Sequence, residues 1–292
     1  MKNSNHPPSC KTYLVELPLT TLHVMEAGSG PPLIVVPATI SELENWVDLI
    51  QFMAQWFRVY FFELPGHGRS TPFEQKFSTQ LVAQTVEHLV DALGAQRFNL
   101  MGFSFGGILA LRTFTILNRR IDRLILNAPC VTRQAILLSG AQKFTMRRLN
   151  SIFRKRFVQV QLQQAFHHPR KRALLLKFFR AVAKIEIRDQ LHRKLARIEV
   201  STIEVLTEEI SEILDFESPH PTAKYDTPCY LTMSVYDPLL DYRVTLNELR
   251  QKFSTVHETK LYFPFHQPHK PFTFDELNRD FGESARKYIN GL

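Results

Sequence analysis

Along the first 130 residues, short continuous apolar runs alternate with longer stretches in which apolar positions recur every third or fourth residue. The first pattern predicts buried strands and the second amphipathic helices. Strands are predicted at 12–17, 21–26, 33–36, 58–62, 98–101 and 121–126. Ser78 can cap a helix that places Leu81, Val82, Val86, Leu89, Val90 and Leu93 on one face and stops at Gly94. A second helix runs from the glycine-rich turn after residue 101 through Ile108, Leu109 and Leu111 to Arg119. Over 131–219 the strand signal disappears and helical spacing takes over, as in Leu174, Leu175, Phe178, Phe179 and Val182. Strands return at 229–235 and 260–263, each followed by a helix, the last ending near Ile289. Strand–helix alternation on both sides of an all-helical stretch predicts an α/β protein with a mostly parallel central sheet flanked by helices. Its core comprises residues 1–130 and 219–292, with a helical insertion at 131–218.

Charge adds a second feature. The net charge of +8 is concentrated in the insertion, where residues 143–197 carry 16 Lys and Arg against Glu186 and Asp189. Residues 198–217 reverse the sign, with seven acids and no base. Solvated or mutually facing helices account for such runs, and an anionic partner at the basic face is the sharper expectation: an acyl-carrier protein, coenzyme A phosphates or lipid headgroups. No nucleic-acid-binding motif accompanies the charge, which argues against that class. The cysteines, Cys10, Cys130 and Cys229, form neither a disulfide framework nor a CxxC pair. With no apolar h-region at the start and no membrane-spanning run, a cytoplasmic protein is expected.

The chemistry-bearing segment is Gly102-Phe103-Ser104-Phe105-Gly106. A serine hydroxyl is a weak nucleophile at neutral pH, so a base and the substrate carbonyl must both be brought to it. In G-x-S-x-G a sharp strand-to-helix turn presents the hydroxyl, and the flanking glycines leave room for neighbouring backbone. The N–H of Phe105 then lies at a helix N-terminus, where it can hold a developing oxyanion.

With LIVVPATI, FFELPGHGRS, MGFSFGG, MSVYDPLL and FPFHQPHKPF in that order, the chain resembles the α/β-hydrolase superfamily over nearly its whole length. The resemblance implies an α/β-hydrolase fold, a helical cap formed by the insertion, and Ser104 as nucleophile. It places the acid after the strand at 229–235, at Asp237, with Asp241 as the alternative. Both His266 and His269 follow the last strand; counted from Pro264, His269 fits the family spacing better and His266 is the alternative base. The backbone N–H of Thr39 is the second oxyanion donor by position. The family's usual His-Gly pair is replaced here by Pro37-Ala38, and Glu63 stands where Asp is usual, in a turn where His67 and Arg69 are expected to be architectural.

These residues predict a serine hydrolase acting on a carboxylic ester or related acyl compound through an acyl-enzyme, with no metal or organic cofactor. The apolar face of the cap, with Phe103 and Phe105, is expected to take an apolar acyl or ring-bearing substrate. Two other readings are an acyltransferase using an acyl thioester, supported by a weaker similarity to the acyltransferase of rhamnolipid-precursor synthesis, and a non-catalytic binding protein on the same scaffold.

Overall fold

In strand β5 (Phe98–Phe103) successive side chains enter different cores: Leu100 packs into one apolar layer and Met101 into another. Strand β3 (Pro32–Val36) does the same, with Ile34 and Val36 on one side and Leu33 and Val35 on the other. A strand covered on both faces needs apolar residues at every position, which explains the unbroken runs in the sequence. The computed structural model describes residues 7–40, 42–183, 189–217, 220–267 and 270–289.

Eight strands form one sheet. The others are β1 (Cys10–Glu16), β2 (Thr21–Ala27), β4 (Arg58–Phe62), β6 (Ile121–Asn127), β7 (Cys229–Ser234) and β8 (Val256–Leu261), in the order β1-β2-β4-β3-β5-β6-β7-β8. Of these described strands only β2 runs against the rest. Helices α2 (Thr79–Ala92), α3 (Phe105–Leu117) and α9 (Tyr242–Lys252) cover one face, while α1 (Val47–Met53) and α10 (Phe274–Ile289) cover the other. The expected α/β class is therefore present.

Strand β3 lies between β4 and β5, so the winding reverses there. Loops leaving the carboxyl ends of β3 and β5 diverge to opposite sides, opening a crevice at the place where α/β sheets bind ligands.

The last strand differs from the sequence reading. It spans Val256–Leu261 rather than 260–263, and its sequence, VHETKL, is mostly polar. β8 is an edge strand with His257, Glu258 and Lys260 exposed, so no apolar run marks its beginning.

Between β6 and β7 lie helices α4 (Gly140–Phe153), α5 (Arg156–His167), α6 (Pro169–Ala183), α7 (Asp189–Leu195) and α8 (Val200–Asp215). They share a small apolar cluster that includes Leu162, Phe166, Leu176 and Ile203. The two charge runs meet here: Arg147 pairs with Asp215 at 2.5 Å, Arg154 with Glu208 at 2.9 Å and Arg156 with Glu204 at 3.5 Å. Part of the basic run is thus neutralised by α8. The insertion is fastened to the core by buried polar contacts. His67 Nε2 lies 3.1 Å from Glu209 Oε1, Thr202 donates to Gly66 O, and Thr79 donates to Glu212. No helix among the described residues is long and apolar enough to cross a membrane.

Candidate active site

Strand β5 ends at Phe103 and helix α3 begins at Phe105, leaving Ser104 alone to make the turn. It does so at φ 51°, ψ −115°, a conformation that L-residues adopt only under constraint from their surroundings. The constraint is tight packing. A Cβ on Gly102 would lie 2.4 Å from Gly106 O, and one on Gly106 would lie 2.4 Å from Val36 O, so both positions are open only to glycine. The Ser104 backbone is also fixed by hydrogen bonds: its N–H donates to Asn127 O, and its carbonyl accepts from Gly107 and Cys130.

His266 lies on the loop after β8, with Nε2 2.8 Å from Ser104 Oγ and Nδ1 2.7 Å from Asp237 Oδ2. Asp237 follows β7, is 5% exposed, and its other oxygen, Oδ1, accepts from the N–H groups of Leu239 and Leu240 at 2.8 and 3.0 Å. The carboxylate is therefore held from both sides. Such a chain orients the imidazole and leaves its Nε2 able to take the hydroxyl proton. His269, favoured on spacing, lies outside the described residues. Spacing favours His269 only if the strand ends at Phe263; it ends two residues earlier, at Leu261, and a loop of similar length then leads toward His266.

Asp241, the alternative acid, is the N-cap of α9, accepting from Val244 N at 2.9 Å. Thr39 lines the pocket at Ser104 on the loop leaving β3, next to the carbonyls that Gly106 approaches. Phe105 supplies the first N–H of α3, at the positive end of the helix dipole. Its ring, however, is buried at 2% in the core beneath α3, away from the pocket, whereas Phe103 does line it. In the turn after β4, Glu63 accepts from Arg69 N at 2.7 Å and lies 2.9 Å from His23 Nδ1. That turn serves as framework, and His67 within it anchors the insertion.

Two residues escaped the sequence reading. Lys194, on α7, lines the pocket with only 13% of its side chain exposed and donates to Ile40 O, with Glu42 Oε2 at 3.8 Å. Burial pulls its pKa below the ordinary lysine value, against the opposing pull of Glu42, Glu63 and Glu44. Ile40 is strained, at φ 54° for a β-branched residue. Asn127 lines the pocket too, and its buried Nδ2 has no hydrogen-bond partner among the described residues.

A family profile described as the alpha/beta hydrolase fold matches residues 31–272. A pimeloyl-[acyl-carrier protein] methyl ester esterase of Nitrosomonas europaea is 29% identical over 130 residues, 44% of this chain and 50% of the relative. The chain thus spans about half the length of that curated relative. Two crystal structures share the fold at TM-score 0.71: a provisionally assigned lipase from Acinetobacter baumannii, 15% identical, and a provisionally assigned acyltransferase from Salmonella enterica, 20% identical. The alignments cover 97% of this chain and 93% of the first structure, and 96% and 95% for the second.

Proposed function

The chain belongs to the α/β-hydrolase fold family, and from that premise we propose that it is a serine hydrolase of carboxylic esters or related acyl compounds working through an acyl-enzyme. The observation that carries this reading is the unbroken hydrogen-bonded series Asp237–His266–Ser104, ending on a serine at the head of a helix. The relative named for a methyl ester supports the ester class.

In this mechanism Ser104 Oγ attacks the carbonyl carbon as His266 Nε2 takes its proton. The carbonyl oxygen gains the negative charge and is held by the N–H groups of Phe105 and Thr39. Collapse of the tetrahedral intermediate breaks the bond to the alkoxy group, which leaves with the proton from His266. Water then gives its proton to the same nitrogen, attacks the acyl carbon and releases the acid, restoring Ser104. Asp237 stays ionised throughout and stabilises the imidazolium. His266 takes the base role that spacing assigned to His269. The insertion acts as the cap, contributing Lys194 to the pocket.

Incubation with a p-nitrophenyl alkylphosphonate tests the nucleophile. The expected result is one phosphonyl adduct on the peptide containing Ser104, with loss of ester turnover. Turnover that persists without such an adduct would overturn the assignment. Transfer to an added alcohol passes through the same acyl-enzyme, so product analysis in water–alcohol mixtures measures how the intermediate partitions between hydrolysis and acyl transfer.

Lys194 is a positioning residue in this scheme. Its ammonium holds the carbonyl of Ile40 and, through it, the strained turn that aims the Thr39 N–H. Lys194→Met is expected to lower kcat by about 10- to 100-fold, short of the full loss of an oxyanion donor, with KM changed only a few-fold. Lys194→Arg restores much of kcat because it keeps a donor. Equal losses in kcat and in thermal stability across both variants would instead indicate a purely structural lysine.

A further inference from the structure

The cavity that opens at Ser104, about 330 Å³ in volume, leads away from the helical insertion. Of its described lining residues, only Lys194 belongs to the insertion. Its depth is lined instead by Leu49, Phe52 and Met53 of α1 and by Leu277, Phe281 and Ala285 of α10. The strand residues beneath them, Met101 and Thr232, lie on the sheet face that these two helices cover. Thr232 is only half-buried although β7 is flanked by a strand on each side. Such exposure in the middle of a sheet requires empty space in front of it.

The lining changes character with depth. Around Ser104 it offers polar groups: Thr39, Asn127, His266 and Gln267. Toward α1 and α10 the lining is apolar apart from Thr232, and two aromatic pairs flank the cavity, Trp46 against Phe103 at 5.0 Å between ring centroids and Phe272 against Phe281 at 5.4 Å. Phe52, Met53, Met101 and Ala285 are each no more than 4% exposed. Polar groups at the reacting end and an apolar interior match a ligand with a carbonyl head and a hydrocarbon tail.

We propose that the slot between α1 and α10 is the binding subsite for a linear aliphatic acyl chain, with the carbonyl at Ser104 and the methyl end among Phe52, Met53 and Ala285. The proposal rests on the acyl-enzyme reading and gives that enzyme its substrate class, medium- to long-chain acyl esters. The acyl part is the fitting occupant because it stays bonded to Ser104 through both steps, whereas the alcohol must depart before water attacks. A slot lined by buried side chains suits the group that stays. Chain length is then set by side chains of α1 and α10 and not by the insertion.

Each buried methylene is expected to raise kcat/KM about fourfold until the slot is full. The readout is the ratio of kcat/KM for p-nitrophenyl decanoate to that for the acetate, over a series in which acyl and alcohol lengths are varied separately. Ala285→Leu, which fills the inner end, is expected to lower this ratio at least tenfold. Met53→Ala, which lengthens the slot, should shift the optimum to longer acyl chains. Leu174→Ser, on the exposed outer face of the insertion, should leave the ratio unaltered. An active enzyme whose ratio is the same in both slot variants, or whose length dependence follows the alcohol, would overturn the proposal while leaving the serine mechanism standing. If Ala285→Leu fails to fold, Met53→Ala decides alone. Calorimetric titration of decanoate into Ser104→Ala separates the two readings even without turnover. Binding weakened at least tenfold by adding Ala285→Leu, or altered in chain-length preference by adding Met53→Ala, supports the slot. Binding indifferent to both overturns it.

Discussion

Replacing His266 with Ala is expected to lower kcat for ester hydrolysis by about a million-fold, and Ser104→Ala by a similar factor. The double variant should be no worse than either single one. In the proposed mechanism nucleophile and base form one unit: with Nε2 2.8 Å from Oγ, each is useless without the other. Non-additivity of this kind is a sharper test than the size of either loss, because two residues that merely supported the fold would produce damage that accumulates. Residual catalysis should remain from the oxyanion donors. Steady-state kinetics on purified single and double variants check the expectation, with His269→Ala in parallel. A million-fold loss at 269, with activity retained at 266, would overturn the assignment of the base.

The second large effect is expected at Asp237. Its two oxygens do different jobs: Oδ2 faces His266 Nδ1 at 2.7 Å, and Oδ1 caps the turn by accepting from Leu239 and Leu240. Asn can keep the turn, since its carbonyl accepts both backbone N–H groups, but its amide cannot accept from Nδ1–H. The imidazole is then held in the wrong tautomer. Asp237→Asn should therefore lower kcat about ten-thousand-fold with little change in thermal stability. Asp237→Ala should lose the same activity and, with the turn uncapped, about 1–2 kcal/mol of stability as well. Asp241→Asn replaces one good helix cap by another and should change kcat by no more than a few-fold. A larger loss at 241 than at 237 would exchange the roles of the two acids.

Much of this architecture was legible in the chain. Strands buried on both faces announce themselves as continuous apolar runs, and the elbow around Ser104 is legible because close packing restricts Gly102 and Gly106 to a single residue type. Legibility failed where the physical signal is not local. β8 is an edge strand, so its polar VHETKL carries no hydrophobic run; spacing counted from 263 favours His269, whereas the strand ends at Leu261 and the histidine that meets Ser104 among the described residues is His266. Lys194 is one of 16 basic residues in its region, and only the fold distinguishes the one buried against Ile40 O from its neighbours. The cavity between α1 and α10 is hidden as well. Its walls come from α1 and α10, more than 200 residues apart, and nothing local in the sequence brings the two together. The positive charge marks a candidate partner surface in the sequence, and part of it is matched from within the molecule by α8.

The separation of β6 from β7 also governs when the three side chains of the candidate site can meet. These neighbouring parallel strands are divided in the chain by about 100 residues, a loop whose closure cost grows only as the logarithm of its length. Folding of the insertion around its own apolar cluster shortens the span that remains to be closed. Ser104 and its elbow emerge from the ribosome early, while Asp237 and His266 arrive only with the final strands. A nascent chain therefore presents Ser104 without its hydrogen-bond partners, and the series Asp237–His266–Ser104 closes only when β7 and β8 dock onto the sheet edge at β6.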